Sequence, residues 1–217
     1  VEFFNRQDLV DGLLMSLRIG AITAIVTTAV AVMAAMAGQV ISGRLSGWFQ
    51  LGVTLPLLVP ELLTAGGLLF FLYKIELGRT VVGLQMGHIL MSFPYAYVSI
   101  VAALRQVPSS LDEASASLGA THWQTFRMVT LPLIMPGVIS GGLFAFITSF
   151  DEVVVVLFVG SAGQKTLPWQ MFTGLREQIS PTILAVATIL VGISILLLAT
   201  VEMLRRRSER LRGLSPG

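Results

Sequence analysis

Three carboxyl side chains lie within or at the end of strongly apolar stretches of this sequence. Glu61 interrupts the apolar run 49–73, and Asp151 with Glu152 follows an uncharged run that begins near residue 133. A charge in hydrocarbon costs about 2.5–3.5 kcal/mol on insertion scales, so such residues are candidates for function, with the binding of cationic groups as their chemistry. Structural roles also fit: Glu61 could form a hydrogen bond across a kinked helix, and the other two could be a helix-end pair facing water.

The composition indicates that most of the chain is surrounded by lipid. Hydrophobic residues make up 54% of the 217 residues and charged residues only 12%, whereas a soluble domain carries about 25% charge. Because a helix needs about 20 apolar residues to cross the hydrocarbon, the sequence predicts an all-α polytopic membrane protein. Five spans are visible, near residues 13–38, 49–73, 80–104, 133–150 and 182–204, and the fourth could extend through the apolar run 153–159.

Other kinds of chemistry find little support in the sequence. It has no cysteine, and neither His88 nor His122 has a partner at metal-ligand spacing. The H-E-x-x-H and G-x-S-x-G motifs are also missing. We therefore expect no metal site, no cofactor, no catalysis by this chain and no nucleic-acid partner, and we interpret His88 as a histidine that packs between helices.

Basic residues predict the orientation in the membrane. Arg44, Arg105, Arg127 and the arginines after residue 204 lie, by alternation of the spans, on one side. The positive-inside rule places that side in the cytoplasm, so the 105–132 loop and the C-terminus are expected there. The polar segment 160–181 is then a periplasmic loop, with a short helix predicted over residues 169–178.

The 105–132 loop has the signals of two short helices. Ser110 and Glu113 have the spacing of a capping box, which predicts a first helix over 111–118. Gly119 allows the chain to turn, and a second helix is expected over 121–129. The simplest interpretation is an amphipathic loop lying on the bilayer surface.

A longer pattern in this loop favours a more specific interpretation. Glu113-Ala114-Ser115 is followed by three residues, Gly119, nine residues and Val129-Thr130-Leu131-Pro132. This spacing resembles the E-A-A coupling loop of bacterial binding-protein-dependent ABC importers, with Ser115 in place of the second alanine. The resemblance implies a type I importer transmembrane domain in which this loop contacts an ATPase subunit. The contact residues that it implies are Glu113, Ala114, Ser115, Gly119 and Trp123.

Further segments narrow the resemblance. Residues 131–137, 149–155, 166–168, 179–181 and 185–188 are similar to the polyamine (spermidine/putrescine) branch of these permeases, and to its second membrane subunit in particular. The resemblance implies one permease domain over residues 1–217 of the bacterial inner membrane, with a sixth span before Val1. It also implies a second permease subunit in a heterodimer, two ATPase subunits that hydrolyse ATP, and a periplasmic substrate-binding protein.

A passage for polyamines would need carboxylates and aromatic faces. The candidates for such a passage are Glu61, Asp151, Glu152, Tyr95 and Trp169, although both aromatic residues could instead anchor the chain at the membrane interface. Gly137, Gly141 and Gly142 would suit a close seam between two permease subunits. Alternatives to the polyamine importer are the same machine with an amino acid, opine, phosphonate or ferric ion as cargo, or a membrane scaffold or intramembrane enzyme without an ATPase.

Overall fold

A computed structural model describes residues 7–177 and 181–211, and every regular element in these two segments is helical. A π-helical turn, Phe126–Thr130, joins two of the helices without a break. The helices are α1 (Gln7–Val40), α2 (Arg44–Leu58), α3 (Glu61–Lys74), α4 (Val81–Leu104), α5 (Ser109–Ser117), α6 (His122–Thr125), α7 (Leu131–Phe150), α8 (Val154–Val159), α9 (Leu167–Glu177) and α10 (Pro181–Leu211).

The centre of the fold is a three-helix core of α1, α4 and α7. Small residues bring these helices close together: Gly137 and Gly141 of α7 lie against Ala103 and Ala96 of α4, and Gly142 lies against Thr28 of α1. In a membrane, helices associate by such close packing because lipid offers no hydrophobic drive between them. The prediction that these glycines form a seam between subunits is therefore wrong, since each contacts its own chain.

The predicted second span is two helices rather than one. Helices α2 and α3 meet at an angle of 106° across a break at Val59 and Pro60. Pro60 lacks a backbone N–H and fixes its φ angle, so the helix ladder ends before it and restarts at Glu61. Within residues 7–177 and 181–211, four helices are long and apolar enough to cross a membrane, and the bent pair makes a fifth span if it counts as one.

The region after the 105–132 loop also differs from the prediction. The second short helix does not end before the fourth span, because one helical segment runs from His122 to Phe150 through the π-helical turn. The chain then leaves the helix at Asp151, Glu152 and Val153 before α8 begins. The fourth span therefore ends at Phe150 and does not extend unbroken through residues 153–159. Both acidic residues lie in the break between α7 and α8.

The packing of the three-helix core leads to a stability prediction. A Cβ atom at Gly137 would lie 2.3 Å from the Cβ of Ala103, which is far inside van der Waals contact. Gly137→Ala is therefore expected to lower the free energy of unfolding by about 1–3 kcal/mol through overpacking. Thermal unfolding of the detergent-solubilised protein measures this change.

Gly192→Ala is the matched control for Gly137→Ala. A Cβ at Gly192 would meet no atom within 4 Å, and this residue also lies inside a helix. Alanine is the better helix former there, so this variant should be neutral or stabilised by up to about 1 kcal/mol. Equal melting temperatures for the two variants would contradict the close approach of α4 and α7.

Candidate functional site

The break between α2 and α3 opens onto a cavity of about 660 Å³, within the range of about 300–1,000 Å³ that is usual for small-molecule sites. We call it the Glu61 cavity. Four of the five predicted passage residues line it: Glu61, Tyr95, Asp151 and Glu152. Its remaining wall is mainly apolar and comes from Pro56, Leu57, Val59, Pro60, Met91, Ile147, Thr148, Val153 and Val154.

Two helix breaks bring these acidic residues together. Glu61 is the first residue of α3, and Glu152 lies in the gap between α7 and α8. Helix α3 packs along α8, so the two breaks face each other although they are 91 positions apart in the sequence. No local sequence pattern indicates this approach, because it depends on how α3 and α8 pack.

Glu152 is held firmly at this site. Its side chain is only 5% exposed, and its Oε1 accepts a hydrogen bond of 2.8 Å from the backbone N–H of Val155 in the first turn of α8. Its carboxyl group faces the same cavity as that of Glu61 and lies close enough to interact with it. Asp151 and Glu61 are more exposed, and Tyr95 is 44% exposed with its ring at the cavity wall.

The contact between Glu61 and Glu152 defines what this cavity can do chemically. Two carboxylates in one mainly apolar cavity repel each other, and a cation that lies between them relieves this repulsion. Asp151 adds a third carboxyl group, and Tyr95 offers an aromatic face to a cation. The cavity is therefore suited to a positively charged group with an apolar body.

Trp169 lies elsewhere. It lines a second cavity, of about 690 Å³, between the first turns of α1 and the 162–174 segment. The structure thus brings together four of the predicted passage residues and separates the fifth from them.

The buried histidine packs between the core helices as predicted. His88 is fully buried on α4, and its Nδ1 lies 2.9 Å from Oγ of Ser149 on α7. Oγ of Ser149 in turn donates to Oγ1 of Thr23 on α1, at 3.2 Å. This chain of hydrogen bonds joins the three core helices, where partners for buried polar groups are needed.

The 105–132 loop folds as two helices, with different end signals from those predicted. Helix α5 begins at Ser109 after Pro108, and no side chain caps it, so the predicted capping box of Ser110 and Glu113 is wrong. Proline at the N-cap already fixes the extended entry, which places Ser110 inside the first turn. A capping box does occur at α6, where Thr121 and Gln124 satisfy each other's backbone N–H groups.

Gly119 forms the turn between the two helices, as the sequence predicted. Its φ angle is +80°, and the turn has the hydrogen bonds of a Schellman motif: Gly119 N–H to Ala116 O at 2.9 Å and Ala120 N–H to Ser115 O at 3.0 Å. A Cβ at Gly119 would meet nothing within 4 Å. The backbone conformation, rather than space, therefore demands glycine here.

Exposure separates the predicted contact residues. Glu113, Ala114, Gly119 and Trp123 are exposed, but Ser115 is only 9% exposed and its hydroxyl donates to the Leu111 carbonyl at 2.7 Å. Ser115 therefore lies on the inner face of α5, so a direct contact with a partner has to come from its neighbours.

Sequence reasoning missed an apolar residue in this loop. Leu118 is 89% exposed at the end of α5, close along the chain to Trp123, which is 66% exposed. An isolated leucine that ends an otherwise polar helix was the available signal. Leu118 and Trp123 are thus two exposed large apolar side chains of this loop.

Comparison with known proteins gives the family. Residues 22–210 match the family of binding-protein-dependent transport system inner membrane components. The chain is 32% identical over 225 residues to the putrescine transport system permease protein PotI of Escherichia coli, covering 98% of this chain and 79% of that protein. It is 28% identical to the spermidine/putrescine transport system permease protein PotC of Haemophilus influenzae, covering 96% and 81%.

The fold agrees with that of a solved importer. The bacterial alginate ABC transporter, solved in complex with an alginate pentasaccharide-bound periplasmic protein, superimposes with a TM-score of 0.69 at 17% identity, covering 99% of this chain and 83% of that one. At this identity the likeness shows the fold alone. With the family match over most of its length, the chain belongs to the binding-protein-dependent ABC importer permeases of the inner membrane.

Proposed function

We propose that this permease subunit carries a cationic amine of the polyamine class across the bacterial inner membrane. The observation that supports this most directly is the Glu61 cavity, which joins three carboxyl groups and Tyr95 at a break in a membrane helix. The similarity to permeases named for putrescine and spermidine points to the same class. A bacterial ABC transporter involved in the import of the acidic polysaccharide alginate has the same fold, so the lining of the cavity, rather than the fold, selects the amine.

The cavity can bind an ammonium group without holding it too tightly. Glu152 is fixed by Val155, whereas Glu61 and Asp151 remain exposed to the cavity. An ammonium group that enters between Glu61 and Glu152 offsets the repulsion between their carboxyl groups. The methylene chain of a polyamine can lie along apolar side chains such as Met91 and Ile147.

The driving force comes from separate subunits. We propose that two ATPase subunits bind the 105–132 loop on its exposed face, with Glu113, Ala114, Leu118 and Trp123 at the contact. Closure of the ATPases on nucleotide would displace α5 and α6, and α6 continues through the π-helical turn into α7, which ends at Phe150, next to Asp151. A shift of the loop can therefore reach the cavity through one helical segment.

The orientation and partners follow from the same proposal. The loop and the C-terminus lie in the cytoplasm, where the arginines of the loop and tail are expected. Residues 1–217 form one permease domain, and the 160–181 segment faces a periplasmic substrate-binding protein. A second permease subunit completes the passage as a heterodimer.

Reconstituted transport tests the proposal. Proteoliposomes containing this subunit with its co-encoded partners are expected to accumulate labelled putrescine or spermidine only when ATP is inside and the binding protein outside. If a binding protein carrying another ligand stimulates ATPase activity and no polyamine is taken up, the importer function stands and the amine cargo is rejected. Failure of any ATPase to co-purify would reject the coupling role of the loop.

A further inference from the structure

The second cavity, which we call the Trp169 cavity, has its own set of cation-binding groups. Its volume is about 690 Å³, and its walls include Asp8 and Asp11 of α1 and Lys165 and Trp169 of the opposite segment. It shares no lining residue with the Glu61 cavity. Nothing in the proposed passage accounts for these residues.

An ammonium group already lies on the aromatic face of this cavity. Nζ of Lys165 is 5.4 Å from the centroid of the Trp169 ring, within the range of about 6 Å for a cation–π contact. The Lys165 side chain is exposed. At an exposed site such a contact is weak, so the ammonium group of Lys165 can leave the ring at little cost.

The walls of the cavity are better fixed than Lys165 itself. The Trp169 ring packs against the buried cluster of Ile19, Leu84 and Val155. Gln170 donates to the backbone carbonyl of Asp8 at 2.8 Å. The 162–174 segment is further joined to α1 because the Leu167 N–H donates to Oγ of Ser16 at 2.9 Å. A fixed aromatic ring is thus presented to the exposed ammonium group of Lys165.

The chemistry of Lys165 identifies the ligand class. A lysine side chain is a four-carbon alkyl stem ending in a primary ammonium group, which is the chemical pattern of a linear alkylamine. A free amine of this class could occupy the same ring face, and its positive charge would be balanced by the carboxyl group of Asp11 in the cavity wall.

We propose that the Trp169 cavity is a second binding site for linear alkylamines, in which Lys165 competes with the ligand for the face of Trp169. An incoming amine displaces the Lys165 ammonium group from the ring and takes its place. This inference rests on the proposed function for the class of ligand, and it adds a site outside the Glu61 cavity at which cargo is captured.

The test is a binding titration on the assembled transporter in nanodiscs. The difference in tryptophan fluorescence between otherwise identical samples with Trp169 and with Trp169→Phe reports binding of putrescine and butylamine. Lys165→Met keeps the length of the side chain and removes its charge. The competition predicts about two- to fivefold tighter amine binding in this variant.

Two control variants separate competition from a general effect of charge. Lys165→Arg keeps the charge and stacks on the ring, so its affinity for amines should not rise. Lys74→Met removes one positive charge from an exposed position outside this cavity and should leave the affinity unchanged. Tightening in either control equal to that in Lys165→Met, or no change in Lys165→Met, would overturn the inference.

The outcomes for the two proposals can be told apart. Amine binding at Trp169 that responds to Lys165→Met while no amine is transported would overturn the polyamine cargo and leave this site in place. Amine transport with a Trp169 signal that does not respond to amines would overturn this site and leave the cargo in place. Lys165→Met changes an exposed side chain, so loss of folding does not confuse the comparison.

Discussion

Glu61→Gln is expected to lower the efficiency of polyamine uptake, measured as the maximal rate divided by the half-saturating concentration, by about 10- to 100-fold. The substitution keeps the shape of the side chain and removes its charge, so the ammonium group of the cargo loses one of its carboxylate partners. A hydrogen bond to a charged group contributes about 1.5–3 kcal/mol, which corresponds to that range. The measurement is the initial rate of ATP-dependent uptake at several concentrations of putrescine. Glu152→Gln should show a loss of similar size, with some loss of stability because Glu152 also accepts from Val155.

Glu76→Gln is the matched control for these variants. Glu76 is an exposed glutamate after the end of α3, and it does not line the Glu61 cavity. Its uptake kinetics should equal those of the unmodified protein. Normal uptake in Glu61→Gln would return Glu61 to a structural role, and an equal loss in Glu76→Gln would point to a general effect of surface charge.

Gly119→Val is expected to abolish most ATP-dependent uptake without changing membrane insertion. At φ +80°, a residue with a Cβ is disfavoured by about 1–2 kcal/mol, and a β-branched side chain is the least suited. That cost lowers the population of the correct turn by about 5- to 30-fold and releases α5 from its position beside α6. Co-purification of the ATPase subunits and uptake in proteoliposomes measure the two consequences.

Asparagine provides the control at the same position. Gly119→Asn adds a Cβ but tolerates the left-handed conformation, so it should keep a large part of both ATPase binding and uptake. A Cβ at this position meets no neighbour, and the comparison therefore isolates the backbone conformation. Equal loss in the valine and asparagine variants would show that the glycine is needed for close contact with a partner and not for the turn.

The 105–132 loop shows how far local sequence signals reach. The turn at Gly119 follows from one residue type, because glycine is the residue that accepts a positive φ angle freely. The capping box of Ser110 and Glu113 was wrong because Pro108 takes the N-cap position, so the helix begins at Ser109, two residues earlier than predicted. The buried position of Ser115 could not be predicted either, because its burial depends on how α5 lies on the rest of the loop.

The glycines of α7 give the same lesson for packing. Their small size predicts a close helix contact, but the identity of the neighbour depends on three-dimensional packing. The structure places Ala96, Ala103 and Thr28 of this same chain opposite them, where a partner subunit had been expected. The composition of α7 cannot tell whether its glycines pack against a helix of the same chain or against a partner subunit, since either contact needs only small residues.

By itself, the sequence determined that the chain is helical with several apolar spans, that a polar loop turns at Gly119, and the family to which the chain belongs. These properties depend on local composition and on residue spacing. The tertiary structure alone decided that Glu61 meets Glu152, that Tyr95 joins them and that Trp169 does not. The physical reason is that a break in each of two helices brings distant carboxyl groups into one cavity, and the position of one break relative to the other is set by the packing of α3 along α8.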